Sequence, residues 1–533
     1  MSLYRAIFTV GGFTMISRVT GFLRDIMIAA LLGAGPIADA FFVAFKLPNF
    51  FRRLTAEGSF TVAFIPLFAG LLEEEGRDAA LRFAAEVVAV LTTIVLALTL
   101  LIEITMPWVM IAMAPGFVAT PDRFDLAVEL TRLTFPYLPF ISLVALLGGM
   151  LNSVGRFAAV AAAPILLNLI LITAMATAAH ALETPGHVLA WGVATAGLAQ
   201  FLWLVAACRR EGLLPRLAWS RLVRPRLTPG VRKLFRLMVP ALLGAGVVQV
   251  NLLIDVILAS TLPTGSISFL YYADRVNQLP LGVIGVAVGT ALLPMLTRQL
   301  RAGEDGEALT TQNRAFEFAM LLCLPAAAGL MALSGPIVAV LFERGAFDAT
   351  ASSASAMALM AYAFGLPAFV AVKVFQPGFF AREDTRTPVF VSIVAVAINL
   401  VLNLILMQFL AHVGLALATA IASWANAAML IYLLRKRNNF AFERRTVARS
   451  GLALLAATGM AVGLVVAVDT LKFGDWASGW GAAAVLAILI AGGMVVYFSL
   501  AFVTGAARPR ELREAFSRRG SDSKSEANSE DQA

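Results

Sequence analysis

Cysteine and histidine are almost missing from this sequence. The only cysteines are Cys208 and Cys323, both in or beside apolar stretches, so neither a disulfide framework nor a zinc spacing can be built, and redox chemistry is not indicated. The three histidines, His180, His187 and His412, fall in expected connecting loops with no carboxylate cluster around them, which predicts no metal site and no cofactor. No Walker loop, nucleophile elbow or metal-binding helix motif occurs, which argues against an enzyme. Charge is scarce too: 14% of the 533 residues are charged, 60% are apolar and the mean hydropathy is +0.84. A soluble domain needs about a quarter of its residues charged to cover its surface. The composition is that of a membrane protein.

Apolar runs of about twenty residues, the length a helix needs to cross the hydrocarbon core, recur along the chain. They predict an all-α polytopic membrane protein of about fourteen transmembrane helices. The expected spans are 3–33, 37–72, 79–107, 125–151, 157–180, 187–208, 232–261, 266–298, 310–334, 352–380, 387–410, 413–435, 447–469 and 480–505. The first is not a cleavable signal, because Arg18, Arg24 and Asp25 interrupt its apolar run. The net charge of +8 is concentrated in particular loops, from Arg209 to Arg236, from Arg435 to Arg449 and from Arg508 to Arg519. The loops near 180–187, 261–266 and 411–413 hold no lysine or arginine. That alternation is the positive-inside pattern and places both termini in the cytoplasm, with no role for nucleic acid.

Shifting the chain against itself by about 228 residues sets Thr61–Leu67 on Gly289–Met295, with Pro66 on Pro294 and Phe41 on Phe269. The halves read as a duplication. Six helices per copy is an even number, so the copies run in the same direction, which predicts two six-helix lobes in a parallel repeat around a central cavity, plus two extra C-terminal helices. The expected divisions are an N-lobe at 1–208, a basic cytoplasmic linker at 209–231, a C-lobe at 232–437, an extra helix pair at 438–507 and a disordered cytoplasmic tail at 508–533. Small-xxx-small pairs, Gly285 with Gly289 and Gly459 with Gly463, suit close helix packing.

The first two spans carry Arg18, Arg24, Asp25, Asp39, Lys46, Arg52, Arg53 and Glu57. Each charge costs at least about 2.5–3.5 kcal/mol at the bilayer centre, so such groups face a cavity, pair with one another or do work. Ser17 and Arg24, Arg18 and Asp25, and Asp39 and Lys46 each lie seven residues apart, on roughly one helical face, and Gly21 and Pro48 are expected to interrupt their helices. Arg53 and Glu57 fit equally well at a helix end, snorkelling to water. An arginine excess suits phosphate oxygens, which the planar guanidinium binds bidentately. In the second half, Tyr271-Tyr272-Ala273-Asp274-Arg275 lies within an apolar helix, and Arg275 is expected to reach the same chamber. A pair with Asp274 is poor, since adjacent helical residues diverge by about 100°. Asp255 is either a proton or cation site or a hydrogen-bonded carboxyl between helices; Lys373 and Asp384 carry no assignment.

Four stretches carry a family resemblance: SRVTGFLRD from Ser17 to Asp25, ADAFFVAFKLPNFFRRLTAEG from Ala38 to Gly58, YYADRVNQLPLGVIGVAVGTALLP from Tyr271 to Pro294, and VKVFQPGFFAREDTRTP from Val372 to Pro388. The chain resembles the MurJ (MviN) family of lipid II flippases, of the multidrug/oligosaccharidyl-lipid/polysaccharide exporter superfamily, over nearly all of residues 1–505. The resemblance implies a flippase of the bacterial inner membrane, acting as a monomer among membrane lipids. Its cargo would be lipid II, undecaprenyl-diphosphate-linked disaccharide-pentapeptide, moved from the cytoplasmic to the periplasmic leaflet for peptidoglycan synthesis. It further implies substrate-binding charges at Arg18, Arg24, Asp39, Arg52 and Arg275, with Ser17, Asp25 and Asn49 in support, and a groove for the polyprenyl tail at about 447–505. A flippase for another polyprenyl-diphosphate glycan would share these features. A membrane-embedded glycosyl or phospho transferase would need a catalytic carboxylate or metal motif outside the membrane, and none is evident.

Overall fold

The structure, a computed structural model, describes residues 3–53, 60–179, 181–215, 227–471 and 480–507. Glu57, His180, residues 216–226 of the expected basic linker and the expected disordered tail lie outside the described residues. Among the described residues all regular structure is helical. In hydrocarbon every backbone polar group needs an internal partner, and a helix provides one within its own segment. The helices are α1 (Leu3–Leu32), α2 (Pro36–Phe51), α3 (Phe60–Glu74), α4 (Arg77–Ile104), α5 (Met106–Met113), α6 (Pro121–Thr134), α7 (Tyr137–Ser153), α8 (Phe157–Ala178) and α9 (Pro185–Arg210). They continue as α10 (Pro229–Ser260), α11 (Ser266–Arg301), α12 (Asp305–Ala332), α13 (Ser334–Phe342), α14 (Ala349–Phe380), α15 (Arg386–Lys436), α16 (Arg444–Thr470) and α17 (Trp480–Thr504). Nine helical stretches among the described residues are long and apolar enough to cross a membrane.

Several expected spans have a finer structure. The stretch expected at 37–72 is two helices, α2 and α3. The one at 125–151 bends at Phe135–Pro136 into α6 and α7, because proline has no N–H to continue the ladder. Gly21 does not interrupt α1, which is continuous from Leu3 to Leu32, and Pro48 lies in the last turn of α2. The two arms expected at 387–410 and 413–435 meet inside α15 at Ala411, whose φ of 46° and ψ of −128° are not helical. A Cβ on Gly414 would stand 2.4 Å from the Leu406 carbonyl oxygen, so the kink closes only over glycine.

Element boundaries repeat across the two halves. Arg77–Ile104 recurs as Asp305–Ala332 and Met106–Met113 as Ser334–Phe342, so each half breaks its long helix one residue before a short one, at Thr105 and at Leu333. The bent pair α6–α7 has its counterpart in α14, and α1 in α10.

The chain forms two compact units. The first comprises Met1–Tyr272, Phe342–Ser352 and Leu402–Leu415, and in it α1 packs on α8, α8 and α7 on α9, and α2 on α6. Gly192 and Gly197 of α9 allow this approach, since a Cβ there would lie 2.8 Å from Leu171 and 2.7 Å from Tyr137. The second comprises Ala273–Leu341, Ser353–Val401 and Ala416–Ala533. Its core joins Leu292 and Leu296 of α11, Cys323 of α12, Val370, Val374 and Phe375 of α14 and Leu430 and Leu434 of α15. Outside that core α16 packs along α12, and the Arg449 guanidinium donates to Glu317 at 2.5 Å. Of the expected small-residue pair on α16, Gly459 meets Leu500 of α17, whereas Gly463 faces open space.

Three loops of the first unit meet main chain to main chain. Gly33 and Gly345 have φ of +64° and +59°, and a Cβ on either would stand 2.3 Å from a carbonyl oxygen, of Ala346 and Ala30 respectively. Between them the Ala346 amide donates to the Ala30 carbonyl at 2.8 Å. Gly265, with φ of +95°, would similarly meet Ala34 at 2.7 Å. Gly33→Ala and Gly345→Ala should each lower stability by about 1–3 kcal/mol in thermal unfolding of the purified protein. Gly155→Ala, with positive φ but open space around it, should cost about 1 kcal/mol.

Candidate functional site

The charges of α1 are held by a neighbouring helix and by the start of α11. Arg24 is 7% exposed and Asp25 2%. Arg24 donates through Nε and Nη2 to Asp25 Oδ1, at 3.1 and 2.7 Å, and through Nη1 to Asn168 Oδ1 of α8 at 2.9 Å. The Asn168 amide turns back to α1, donating to the Ser17 carbonyl at 3.0 Å and to Thr20 Oγ1 at 3.2 Å. Gly21 makes the room: a Cβ there would lie 3.3 Å from Asn168 Nδ2. The Tyr271 hydroxyl donates to Asp25 Oδ1 at 3.1 Å while its ring stacks on Phe42, centroids 3.9 Å apart. Adjacent helical residues point apart, yet Arg24 is long enough to fold back onto Asp25.

Asp39, in the first turn of α2, is completely buried. Its Oδ2 accepts from Arg123 Nη2 at 2.5 Å and the Gly265 amide at 2.7 Å; its Oδ1 accepts from the Ser268 amide at 2.9 Å and the Ser268 hydroxyl at 2.6 Å. The two amides are unused donors at the N-terminus of α11, where a carboxylate is also favoured by the helix dipole. Arg123 is held in turn by the Phe117 ring, 3.8 Å from its Cζ. Below this pair, Tyr272 is fully buried and donates to the Gly33 carbonyl at 3.1 Å.

The remaining expected site residues are dispersed. Arg18 is exposed and, with Ser17 and Asn152, lines a cavity of about 300 Å³ beside α8. Arg52 donates from Nε to Asn49 Oδ1 at 3.1 Å, one turn back. Asp255 of α10 accepts from Asn403 Nδ2 at 2.9 Å. Arg275 belongs to the second unit, where its neighbour Asp274 accepts from Gln278. The arginine bound to Asp39 is Arg123, which the sequence reading did not single out. Its signal was modest, a lone arginine after Pro121 just ahead of an expected span. Asn168, in an otherwise apolar helix, was missed likewise.

Two expectations need correction. His187 is not in a loop but in the first turn of α9, and it does have carboxylates around it, Glu129 and Glu183. His412 also lies within helix, next to the Ala411 kink, its ring 5.1 Å from that of Phe269.

The sequence profile of the family described as "Lipid II flippase MurJ" matches residues 28–486. The chain belongs to the MurJ lipid II flippase family. It is 45% identical over 536 residues to the "Probable lipid II flippase MurJ" of Rhizobium meliloti (strain 1021), covering 99% of each chain. It is 37% identical over 437 residues to "Lipid II flippase MurJ" of Burkholderia cenocepacia, covering 82% of this chain and 84% of the other. Its fold is that of a structure titled "Lipid II flippase MurJ, inward closed conformation", with a TM-score of 0.77, 22% identity and coverage of 93% of this chain and 98% of the other. Members of the MurJ family are transporters rather than enzymes, in accord with the missing catalytic motifs.

The Asp39 joint makes a quantitative prediction. Asp39→Ala and Arg123→Ala should each destabilise the protein by about 3–5 kcal/mol, since each leaves a buried charge alone. The double variant should lose less than the sum, read by chemical unfolding of the purified chain.

Asp384, unassigned from sequence, staples the segment that opens α15 to Arg437, the residue that ends it, outside the expected spans. It accepts from the Thr387 hydroxyl at 2.6 Å, the Thr387 amide at 3.0 Å and Arg437 at 2.5 Å. Burial alone would raise its pKa, but the Thr387 bonds and the Arg437 charge outweigh that and bring it to about 2, from 3.8. The folded-state value is the lower one, so the staple stabilises fully above pH 3.8 and is lost as pH falls through about 2. Asp384→Asn should therefore be less stable than the parent at neutral pH, and the gap should close by about pH 2.

Proposed function

We propose that this protein is the flippase that carries lipid II from the cytoplasmic to the periplasmic leaflet of the bacterial inner membrane, for peptidoglycan synthesis. Family membership supports the cargo, and one structural observation supports the chemistry: a buried arginine, Arg24, held within α1 by exchangeable hydrogen bonds. A diphosphate offers Arg24 the same geometry as Asp25 with more charge and more acceptor oxygens. Binding then consists of exchanging Asp25 for phosphate, with Arg18, Arg52 and Arg275 as further cations and Ser17 and Asn49 beside them.

Transport follows by alternating access, without bond making or breaking. Cargo shifts the equilibrium between inward and outward states only by its differential affinity for them. Asp39, which holds Arg123 and the start of α11 in the present state, is the acid whose contacts must be remade in the other. The polyprenyl tail is assigned to the α12–α16 face, where an apolar cavity of about 360 Å³ is lined by Met331, Ala332, Ala461, Val462 and Val465. Asp255, with Asn403, is the candidate for a coupled proton or cation. Membrane potential adds about 2.3 kcal/mol per charge per 100 mV. Both termini are placed in the cytoplasm, and the protein acts as a monomer.

The direct test is flipping of lipid II by the purified protein in vesicles. Arg24→Ala, Arg52→Ala and Arg275→Ala should each reduce flipping at least about tenfold, the effect of losing one charge-assisted bond of 1.5–3 kcal/mol. Each variant should still be recovered from the membrane. Undiminished flipping with all three replaced would refute the arginine mechanism. Depletion in cells should raise lipid II, and unchanged lipid II would transfer the assignment to another polyprenyl-diphosphate glycan.

A further inference from the structure

His187 is buried to 6% exposure in the first turn of α9. Its Nδ1 is 2.9 Å from the Thr184 hydroxyl, and its amide donates to the Thr184 carbonyl at 3.0 Å. The opposite nitrogen, Nε2, is enclosed and makes no hydrogen bond, although Glu129 Oε1 of α6 lies 3.3 Å away. Glu183 completes the group: one ligand-capable atom from each of Glu129, Glu183 and His187 lies within 4.8 Å of the others. Both carboxylates are exposed. In the tautomer that donates Nδ1–H to the Thr184 hydroxyl, the Nε2 lone pair faces two anionic acceptors, an arrangement that a cation between them relieves.

We propose that Glu129, Glu183 and His187 form a binding site for a divalent transition-metal ion of the zinc class. One imidazole and two carboxylates suit zinc, whereas calcium and magnesium take sites built from oxygen alone. Two ligands of one ion bonded at about 2.1 Å stand at most about 4.2 Å apart, so the exposed glutamates close on the ion by a rotamer change while His187 stays fixed. Thr184 is a positioning residue: in the metal-bound tautomer its hydroxyl accepts the Nδ1 proton and holds the ring with Nε2 toward the glutamates. The ion ties the segment leading into α9 to α6, the helix that also carries Arg123, and so braces the Asp39 joint from outside. On the orientation proposed above, this site faces the periplasm and draws its metal from there.

The test is equilibrium dialysis of the full-length purified protein with zinc chloride, with magnesium chloride as control, read by metal content and by Tm. The parent should hold one zinc per chain and gain Tm with zinc but not magnesium. Glu129→Gln, Glu183→Gln and His187→Gln should each weaken zinc binding at least about tenfold, and Thr184→Val by about tenfold. His412→Gln should bind like the parent. The two glutamates are exposed, so their variants keep the readout clear of misfolding. Equal zinc binding by the parent and Glu129→Gln, or a Tm indifferent to zinc, would overturn the site and leave His187 paired with Glu129 alone.

Discussion

A carboxylate taken out of water must be surrounded by donors, and the first compact unit is arranged around that requirement at Asp39. Its four donors come from α6 and from the loop and first turn that open α11. No one of these segments could satisfy the charge alone. Meeting there fixes how α2, α6 and the start of α11 approach, and Gly265, one of the donors, runs so close to Ala34 that only glycine fits. The same economy governs Arg24, whose fork is filled by Asp25 and Asn168. Buried ion pairs add little net stability, but breaking one strands a charge, so such pairs specify one arrangement more than they strengthen it.

That arrangement bears on transport. A cation already satisfied by protein groups binds cargo only by exchange, which limits affinity and lets the cargo leave again. Asp25 and Asn168 are suited to such exchange, being side chains with their own alternative partners, Tyr271 for one and Ser17 and Thr20 for the other. Asp39 is of another kind, with both oxygens occupied and no exposure. On the proposed mechanism the two acids, fourteen residues apart, divide the work, one facing the ligand and the other the conformation.

Much of the fold was legible because its signals are local. Apolar length gave the helices, and a constant offset gave the repeat, which returns as matching breaks at Thr105 and Leu333. The breaks were themselves legible to within a few residues, since the expected spans 79–107 and 310–334 end there and Pro107 and Pro336 follow; the short helices beyond them were not expected. Nor was the role of Gly21, where glycine reads as a breaker but serves as a socket for Asn168. The unusual charges of α1 and α2 were visible as anomalies of cost, whereas their partners were not. Arg123 and Asn168 lie 84 and 144 residues from the groups they bind, and nothing in a single sequence joins such positions. The triad at His187 escaped for the same reason, Glu129 being remote in the chain.

The contact between the Gly33 and Gly345 loops has a different implication for genetics. Its central bond runs from the Ala346 amide to the Ala30 carbonyl, so no side chain contributes to it. A systematic alanine scan would pass over this contact without a signal at Ala30 or Ala346, which are alanine already. It would register only at the flanking glycines, and there as a loss of folding rather than of binding. Phenotypes at Gly33 and Gly345 would then look like generic instability while marking a specific joint. Suppressors of such defects are best sought in the opposing loop, where a shift of the backbone can restore the clearance.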